Sequence, residues 1–179
     1  MSPEYAKEAR KKLSSINGFH RSLRIVPVRR SEHFFFNLLE FRFFRDSERG
    51  AAMPFGDHQF LYSLVTVPYV LVAELIFFRT ERHFIRSGTT VAGVVAFRGE
   101  PDSLFIASLG VAKECRRFGI ATYILRYAER LAVRLGKKWL ELSVLKGNAP
   151  AQRLYVKLGF FAVKERHWSF IMRKQVGLH

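Results

Sequence analysis

The clearest chemical signal in the sequence is a short basic turn at residues 116–121, Arg-Arg-Phe-Gly-Ile-Ala. Gly119 and Ala121 leave the backbone accessible, because neither carries a side chain that would keep a ligand away from the amide N–H groups. A helix that begins at this turn adds the positive end of its dipole, and Arg116 and Arg117 add formal positive charge. The pattern favours an anion site, best suited to phosphate. The alternative interpretation is an ordinary tight turn between a strand and a helix.

The elements around this turn place it at the edge of a sheet. Residues 104–111 are a short, largely apolar run that predicts a buried strand, and residues 139–145 predict a second one. Between them an amphipathic helix is predicted over 119–135, closed by Gly136. Its apolar stripe comprises Ile120, Ile124, Leu125, Ala128, Leu131, Ala132 and Leu135. Such a strand–helix–strand unit is normally parallel, and ligands bind at the carboxyl ends of its strands, where the turn lies.

A second informative segment follows at residues 148–160, Asn-Ala-Pro-Ala-Gln-Arg-Leu-Tyr-Val-Lys-Leu-Gly-Phe. Asn148 is a good helix N-cap, Pro150 suits a first helical turn, and Gly159 suits the left-handed residue that ends a helix. A short helix over 149–158 is therefore expected. Tyr155 lies seven positions after Asn148, so both residues fall on one face, two turns apart.

These two segments together resemble the GNAT superfamily of acyl-CoA-dependent N-acetyltransferases. The family's pyrophosphate signature, Arg or Gln, two residues, Gly, one residue, then Gly or Ala, is matched by Arg116, Gly119 and Ala121, with Val111 five residues upstream. Residues 148–160 are similar to its Asn, Ala, Leu-Tyr, Gly-Phe pattern. The resemblance implies a single-domain α/β (α+β) fold with a mixed, mostly antiparallel central sheet, a splayed parallel strand pair and flanking helices.

The resemblance also implies acetyl-CoA as cosubstrate, no metal, and a primary amine that attacks the thioester directly in a ternary complex. Tyr155 would protonate the departing thiolate; its alternative role is that of an aromatic residue packed on the sheet. Asn148 is a helix cap, a cofactor ligand, or both. Backbone groups of two strand residues would hold the pantetheine arm and the amides of the turn would hold the pyrophosphate, which gives as cofactor-binding residues Leu109, Val111, Arg116, Arg117, Phe118, Gly119, Ile120, Ala121, Thr122 and Asn148.

No general base stands out in the sequence. The strand at residues 104–111 carries no carboxylate, although some family members place a glutamate there. The candidates by residue type are Glu74, Glu81, His83 and Glu141, each of which can equally be a surface or paired residue. A water chain, or an amine that arrives neutral, would also serve.

The composition indicates one globular domain with an anionic partner. The chain has 179 residues without a linker-like stretch, and 30 Lys and Arg against 15 Asp and Glu give a net charge of +15. Coenzyme A accounts for part of this charge, and a separate basic surface for RNA, the ribosome or anionic lipid is the alternative. Cys115 is the only cysteine, which excludes an internal disulfide and favours a reducing, cytoplasmic location for the protein. The expected role of the Cys115 side chain is to fill apolar space. No metal-ligand spacing occurs among the histidines and this cysteine.

The N-terminal half is less informative. Residues 1–21 are expected to be a basic extension, either a solvated tail or a nucleic-acid arm, and lack the apolar core of a signal peptide; the domain is then residues 22–179. Ser31 is predicted to cap a phenylalanine-rich helix. Its rings are expected to be mostly core, with a border of an acyl or acceptor pocket as the alternative for some of them: Phe34, Phe35, Phe36, Phe41, Phe43 and Phe44. The remaining expected elements are an edge strand at 23–28 with Pro27, a loop at 45–57, a hairpin from 81–86 and 91–97, a turn at 99–102, and final strands at 161–164 and 167–173.

An apolar segment at residues 60–78 contains Glu74 as its only carboxylate and no basic residue. A membrane span is one interpretation of it. Pro68 near its centre, the charge of Glu74 and the β-branched run at 65–67 favour instead a buried helix, a strand or a homodimer surface.

Three functional hypotheses follow from the sequence. The first is an N-acetyltransferase acting on a primary amine of a small molecule, a protein N-terminus or a lysine. The second is a CoA-binding regulatory or ribosome-associated module that does no chemistry. The third is a membrane-anchored protein built on residues 60–78. The presence of both Tyr155 and Asn148 favours the first.

Overall fold

The structure is a computed structural model that describes residues 22–47 and 80–177. Three sequence predictions therefore lie outside the described residues: the basic extension at 1–21, most of the loop at 45–57, and the apolar segment at 60–78 with Glu74. Within the described ranges, none of the helices has the length and hydropathy that a membrane crossing requires.

The described residues form a seven-stranded sheet with helices on both faces. The strands are β1 (Leu23–Pro27), β2 (Glu81–Ser87), β3 (Thr90–Gly99), β4 (Ser103–Val111), β5 (Trp139–Leu145), β6 (Phe161–Glu165) and β7 (Ser169–Gln175). The helices are α1 (His33–Ser47), α2 (Ile120–Arg134) and α3 (Ala149–Lys157), with 3-10 turns at Arg30–Glu32 and Lys113–Cys115. The strand order is β1-β2-β3-β4-β5-β7-β6, and only β4 and β5 pair in parallel among these strands. The predicted fold class is confirmed.

Each face of the sheet carries its own apolar cluster. On the α2 face, the buried side of the helix packs against Phe97, Ile106 and Leu142. On the α1 face, Phe36 and Phe43 pack against Phe84 and Val94. The sheet is therefore buried on both sides, so its central strands are apolar on both faces.

Three details of the local predictions are wrong. Ser31 is not an N-cap: the chain turns earlier, with Arg29 as the cap residue of the 3-10 turn, and the Arg29 N–H donates to Glu32 Oε2 at 3.1 Å. Leu135 is 50% exposed because it caps α2 at the point where Gly136 reverses the chain. Phe34 and Phe35 are exposed rather than core residues.

The parallel pair β4–β5 separates after four residues. Pairing runs from Ser103 opposite Trp139 to Ile106 opposite Leu142 and then stops, although both strands continue. A β-bulge explains the separation: Ala96 of β3 faces Ser108 and Phe97 faces Ile106, which leaves Ala107 as an extra residue in β4. A bulge bends its strand, and β5 meanwhile stays paired with β7. A gap therefore opens between β4 and the end of β5.

Candidate active site

The gap between β4 and β5 is part of a cleft of about 780 Å³. Its walls come from the end of β4, the turn before α2, the end of β5, the start of α3 and one side of α1. The predicted site residues that line it are Leu109, Val111, Arg116, Arg117, Gly119, Ile120, Ala121, Thr122, Asn148 and Tyr155. Phe118 is the exception, because its half-buried ring packs against the apolar cluster on the α2 face. The structure thus brings both sequence motifs to one cavity.

The turn before α2 presents a set of backbone amides to this cleft. Arg117 (φ 66°) and Gly119 (φ 74°) both adopt the left-handed conformation. This conformation is common for glycine but unusual for a residue with a side chain, such as Arg117. The first backbone bond into the helix is from Tyr123 N–H to Gly119 O, at 2.9 Å. Within the described part of the chain, no backbone carbonyl accepts from the amides of residues 119–122, and Gly119 has no side chain to cap them. Such uncapped amides are the usual basis of anion binding at a helix N-terminus.

The Arg116 side chain holds this turn in place. Its Nε donates to Val111 O at 3.1 Å, and its Nη2 donates to Phe43 O at 3.4 Å. One guanidinium therefore joins the end of β4, the turn and α1. The sequence motif predicts a phosphate-binding role for Arg116; in the structure these contacts are to protein carbonyls.

The backbone of β4 offers hydrogen-bonding groups along the gap. Ala112 N–H donates to Ala92 O at 3.0 Å, so these two residues form a hydrogen-bonded pair of the β3–β4 ladder. Because such pairs alternate in an antiparallel ladder, the N–H and C=O groups of Leu109 and Val111 point to the other edge, where β5 has separated. Val111 O accepts from Arg116, so the Val111 N–H and both backbone groups of Leu109 are the ones that face the open part of the gap.

Helix α3 supplies the opposite wall. Asn148 Oδ1 accepts from Ala151 N–H at 3.2 Å, so it caps the helix while also lining the cleft. Gln152 Nε2 donates at 2.8 Å to the carbonyls of Leu145 and Lys146, which fixes α3 to the end of β5. Gln152 has no role in the sequence predictions. Its distance from those two carbonyls is set by the conformation of the turn between β5 and α3, which the sequence pattern does not reveal.

Tyr155 is the titratable group of that wall. Its side chain is 8% exposed and its ring lies 5.8 Å from that of Phe160. Burial raises the pKa of Tyr155 to about 12, because the charged phenolate would lose its hydration. The hydroxyl therefore carries its proton throughout the physiological range and is able to donate it.

Of the sequence candidates for a base, the three that lie within the described residues do not line the cleft. Glu81 is exposed, Glu141 is ion-paired with Arg173, and neither lines the cavity. His83 lies on the α2 face against the rings of Phe97 and Tyr127, where burial lowers its pKa.

The carboxylate that does line the cleft is Glu40, on α1. It accepts a hydrogen bond from the Ser108 side chain and lies within the field of Arg82; burial nevertheless raises the pKa of Glu40. Glu40 is not among the base candidates predicted from the sequence. The available signal was its position four residues after Phe36 and three before Phe43, which places a carboxylate on the apolar face of a helix.

Comparison with known proteins agrees with this geometry. Residues 51–160 match the model of the Acetyltransferase (GNAT) family, and the chain belongs to that family. The resemblance drawn from the two sequence motifs is thereby confirmed.

Individual relatives are more distant. GCN5-related N-acetyltransferase 6, chloroplastic, of Arabidopsis thaliana is 45% identical over 60 residues, which are 34% of this chain and 21% of that protein. The match thus spans about a fifth of the relative's length.

Among solved structures, the PaiA N-acetyltransferase of Thermoplasma acidophilum in complex with coenzyme A has a TM-score of 0.69 at 16% identity, covering 86% of this chain and 99% of that one. The ribosomal-protein-S18-alanine N-acetyltransferase of Escherichia coli has a TM-score of 0.62 at 17% identity, covering 88% and 96%. A GNAT acetyltransferase of Elizabethkingia anophelis with acetyl-CoA bound has a TM-score of 0.59 at 14% identity, covering 87% and 99%. These similarities establish the shared fold.

Proposed function

We propose that this protein is an acetyl-CoA-dependent N-acetyltransferase that acetylates a primary amine. The observation that carries the proposal is the meeting of two features in one cleft: uncapped amides at the start of α2, and a buried, protonated Tyr155 across the β4–β5 gap. Membership of the GNAT family supports the same reaction class.

The residues of the cleft fit the parts of such a cosubstrate. The amides of residues 117–122, with the positive charge of Arg117, would hold the pyrophosphate. The backbone groups of Leu109 and the Val111 N–H, which face the gap, would hold the pantetheine arm in the manner of an added strand. When bound, acetyl-CoA supplies a thioester, the acyl donor for the amine. Asn148 would border the acyl end while capping α3.

Tyr155 has the properties of a proton donor to the leaving thiolate. Its phenol is neutral at neutral pH and lines the cleft, so it has a proton to give. Burial raises the pKa of Tyr155 to about 12 and makes it a weaker acid than an exposed tyrosine, so the donation relies on its position in the cleft. Holding both reactants in one cleft supplies the remainder of the catalysis through proximity and fixed amide dipoles.

The acceptor is proposed only by class: a primary amine of a small molecule, of a protein N-terminus or of a lysine. The alternative from the sequence, a CoA-binding module without activity, is tested by the same experiment. A cytoplasmic location, a homodimer and a basic surface for RNA or ribosome stay predictions.

The test combines binding and turnover. Calorimetry should show coenzyme A binding, and release of free thiol from acetyl-CoA should depend on an added amine from a panel of n-butylamine, spermidine, a lysine-containing peptide and a peptide with a free N-terminus. Binding of coenzyme A with no thiol release from any acceptor would contradict the enzyme and favour the regulatory module.

A further inference from the structure

Helix α1 carries a carboxylate into the cleft described above. Glu40 and Phe43 lie one turn apart on the face of α1 that packs across β3 and β4, and both line the cavity. The Phe43 carbonyl accepts from Arg116, so the helix is tied to the turn that begins α2. A hydrogen bond one turn away from Glu40 therefore links α1 to the turn whose amides face the cleft.

Beneath Glu40, the mostly apolar face of the sheet carries a polar site formed by Arg82 and Ser108. Arg82 of β2 pairs with Ala96 of β3, and Ala96 pairs with Ser108 of β4. Directly opposite residues point to the same face of a sheet, so the three form a row under α1. Ala96 is small, which leaves room above it for a carboxylate between the other two. Ser108 supplies the hydrogen bond to Glu40 and Arg82 supplies an opposing charge.

This polar site lies where the cleft opens. Ser108 is the residue directly after the bulge at Ala107, the point at which β4 leaves β5. The other titratable or charged groups that line the same cavity are Arg116, which is bonded to two carbonyls, and Arg117, Cys115 and Tyr155. The 3-10 turn before α1 contributes Glu32, whose carboxylate is engaged by Arg86 and the Arg29 amide. Glu40 is thus the carboxylate that, among the described residues, faces the cleft.

The opposing effects of burial, Ser108 and Arg82 on the pKa of Glu40 suit a group that accepts a proton. Burial raises the pKa of Glu40, whereas the Ser108 hydrogen bond and Arg82 act against that rise and favour the ionised form. A carboxylate held in this way binds a proton more readily than an exposed glutamate, which is the property required of a general base.

We infer that Glu40 is the base that takes a proton from the acceptor, which enters the site as an ammonium ion. The step is a single proton transfer: one N–H bond of the ammonium breaks, the proton passes to a carboxylate oxygen of Glu40, and the nitrogen keeps the electron pair with which it attacks. This inference rests on the proposed function and assigns to it an acceptor that is cationic in solution.

The test compares Glu40→Gln with Glu81→Gln, an exposed glutamate on β2 that does not line the cleft. With spermidine or n-butylamine as acceptor, Glu40→Gln should lower kcat/KM at pH 7 by about 100-fold or more, the usual scale for loss of a general base. The deficit should shrink as the pH approaches the amine's own pKa, because the acceptor then arrives neutral. The affinity for coenzyme A, measured by calorimetry, should stay within twofold, and Glu81→Gln should behave as wild type.

A second variant leaves the carboxylate in place. Ser108→Ala removes a hydrogen bond that favours ionised Glu40, so the pKa of Glu40 should rise and the acid limb of the kcat/KM profile should move to higher pH. A carbon-13 NMR titration of the Glu40 carboxyl should show the same shift without any substrate.

The outcomes separate this inference from the proposed function. An active wild type with a Glu40→Gln variant that keeps its rate and its acid limb would overturn the assignment of Glu40 and leave the acetyltransferase intact. A parallel loss of coenzyme A affinity in Glu40→Gln would also overturn it. A wild type that binds coenzyme A but acetylates no amine would remove the proposed function, and the assignment of Glu40 with it.

Discussion

The phosphate-binding role of the turn before α2 is tested most sharply at Gly119. Gly119 has φ 74° and leads directly into the uncapped amides. Any side chain here costs about 1–2 kcal/mol of folding free energy, since L-residues disfavour this conformation. Glu and Gln share that cost and have nearly the same size. The comparison of Gly119→Glu with Gly119→Gln therefore isolates the effect of one negative charge.

The size of the charge effect follows from Coulomb's law. A carboxylate about 5 Å from one phosphate charge, at an effective dielectric constant of about 20, is repelled by about 3 kcal/mol. Screening by solvent reduces this value at an open cleft, so a loss of about 10- to 100-fold in coenzyme A affinity is expected for Glu relative to Gln. The difference should shrink as salt rises from about 50 mM to about 500 mM.

Calorimetric titration of coenzyme A into both variants measures this difference, with thermal unfolding curves to show that both are folded. Equal affinities for the Glu and Gln variants at low salt would refute the idea that these amides bind a diphosphate. A difference that does not depend on salt would contradict its electrostatic origin.

Three further changes test other parts of the site. Tyr155→Phe should lower kcat about 10- to 100-fold in the thiol-release assay with unchanged coenzyme A affinity. In the wild type, burial raises the pKa of Tyr155 to about 12, whereas tyrosine in the unfolded chain titrates near 10. The free energy of unfolding should therefore decline above about pH 10, which a pH series of urea unfolding would detect. Gly110→Ala would place a Cβ 2.9 Å from Phe43 Cβ, so α1 must shift; a loss of about 1–3 kcal/mol in urea unfolding is expected, and an unchanged midpoint would show that α1 yields freely. Asn148→Ala removes the cap on the Ala151 amide and should cost about 1 kcal/mol by the same method, with Asn148→Asp retaining most of the stability.

The parts of the fold that local sequence determines were predictable. The turn at 116–121 and the cap at Asn148 depend on residue types within one or two helical turns, and α2 and α3 begin and end within a residue of their predicted limits. Gly136 and Gly159 both adopt the left-handed conformation expected after a helix. The parallel pair followed from the order strand, helix, strand.

The parts that depend on distant contacts were not predictable. The bulge at Ala107 has no local signature, because it is defined by the register of β3 against β4. The position of Glu40 over Ser108 brings together residues that are far apart in sequence. At Ser31 the local signal misled, because Glu32 reaches back to the Arg29 amide and the turn begins two residues earlier.

The double hydrogen bond of Arg116 has a consequence for engineering. Exchanging α1 for a helix from a relative is an obvious route to a new acceptor preference, since this helix forms one wall of the cleft. The guanidinium grips the main-chain carbonyl at position 43, so this bond places no demand on the side chain there, but it does require the grafted backbone to lie at the same distance. A graft that moves that carbonyl would displace the turn before α2, which we propose holds the pyrophosphate of the cosubstrate, so a change made for the acceptor would also weaken cosubstrate binding.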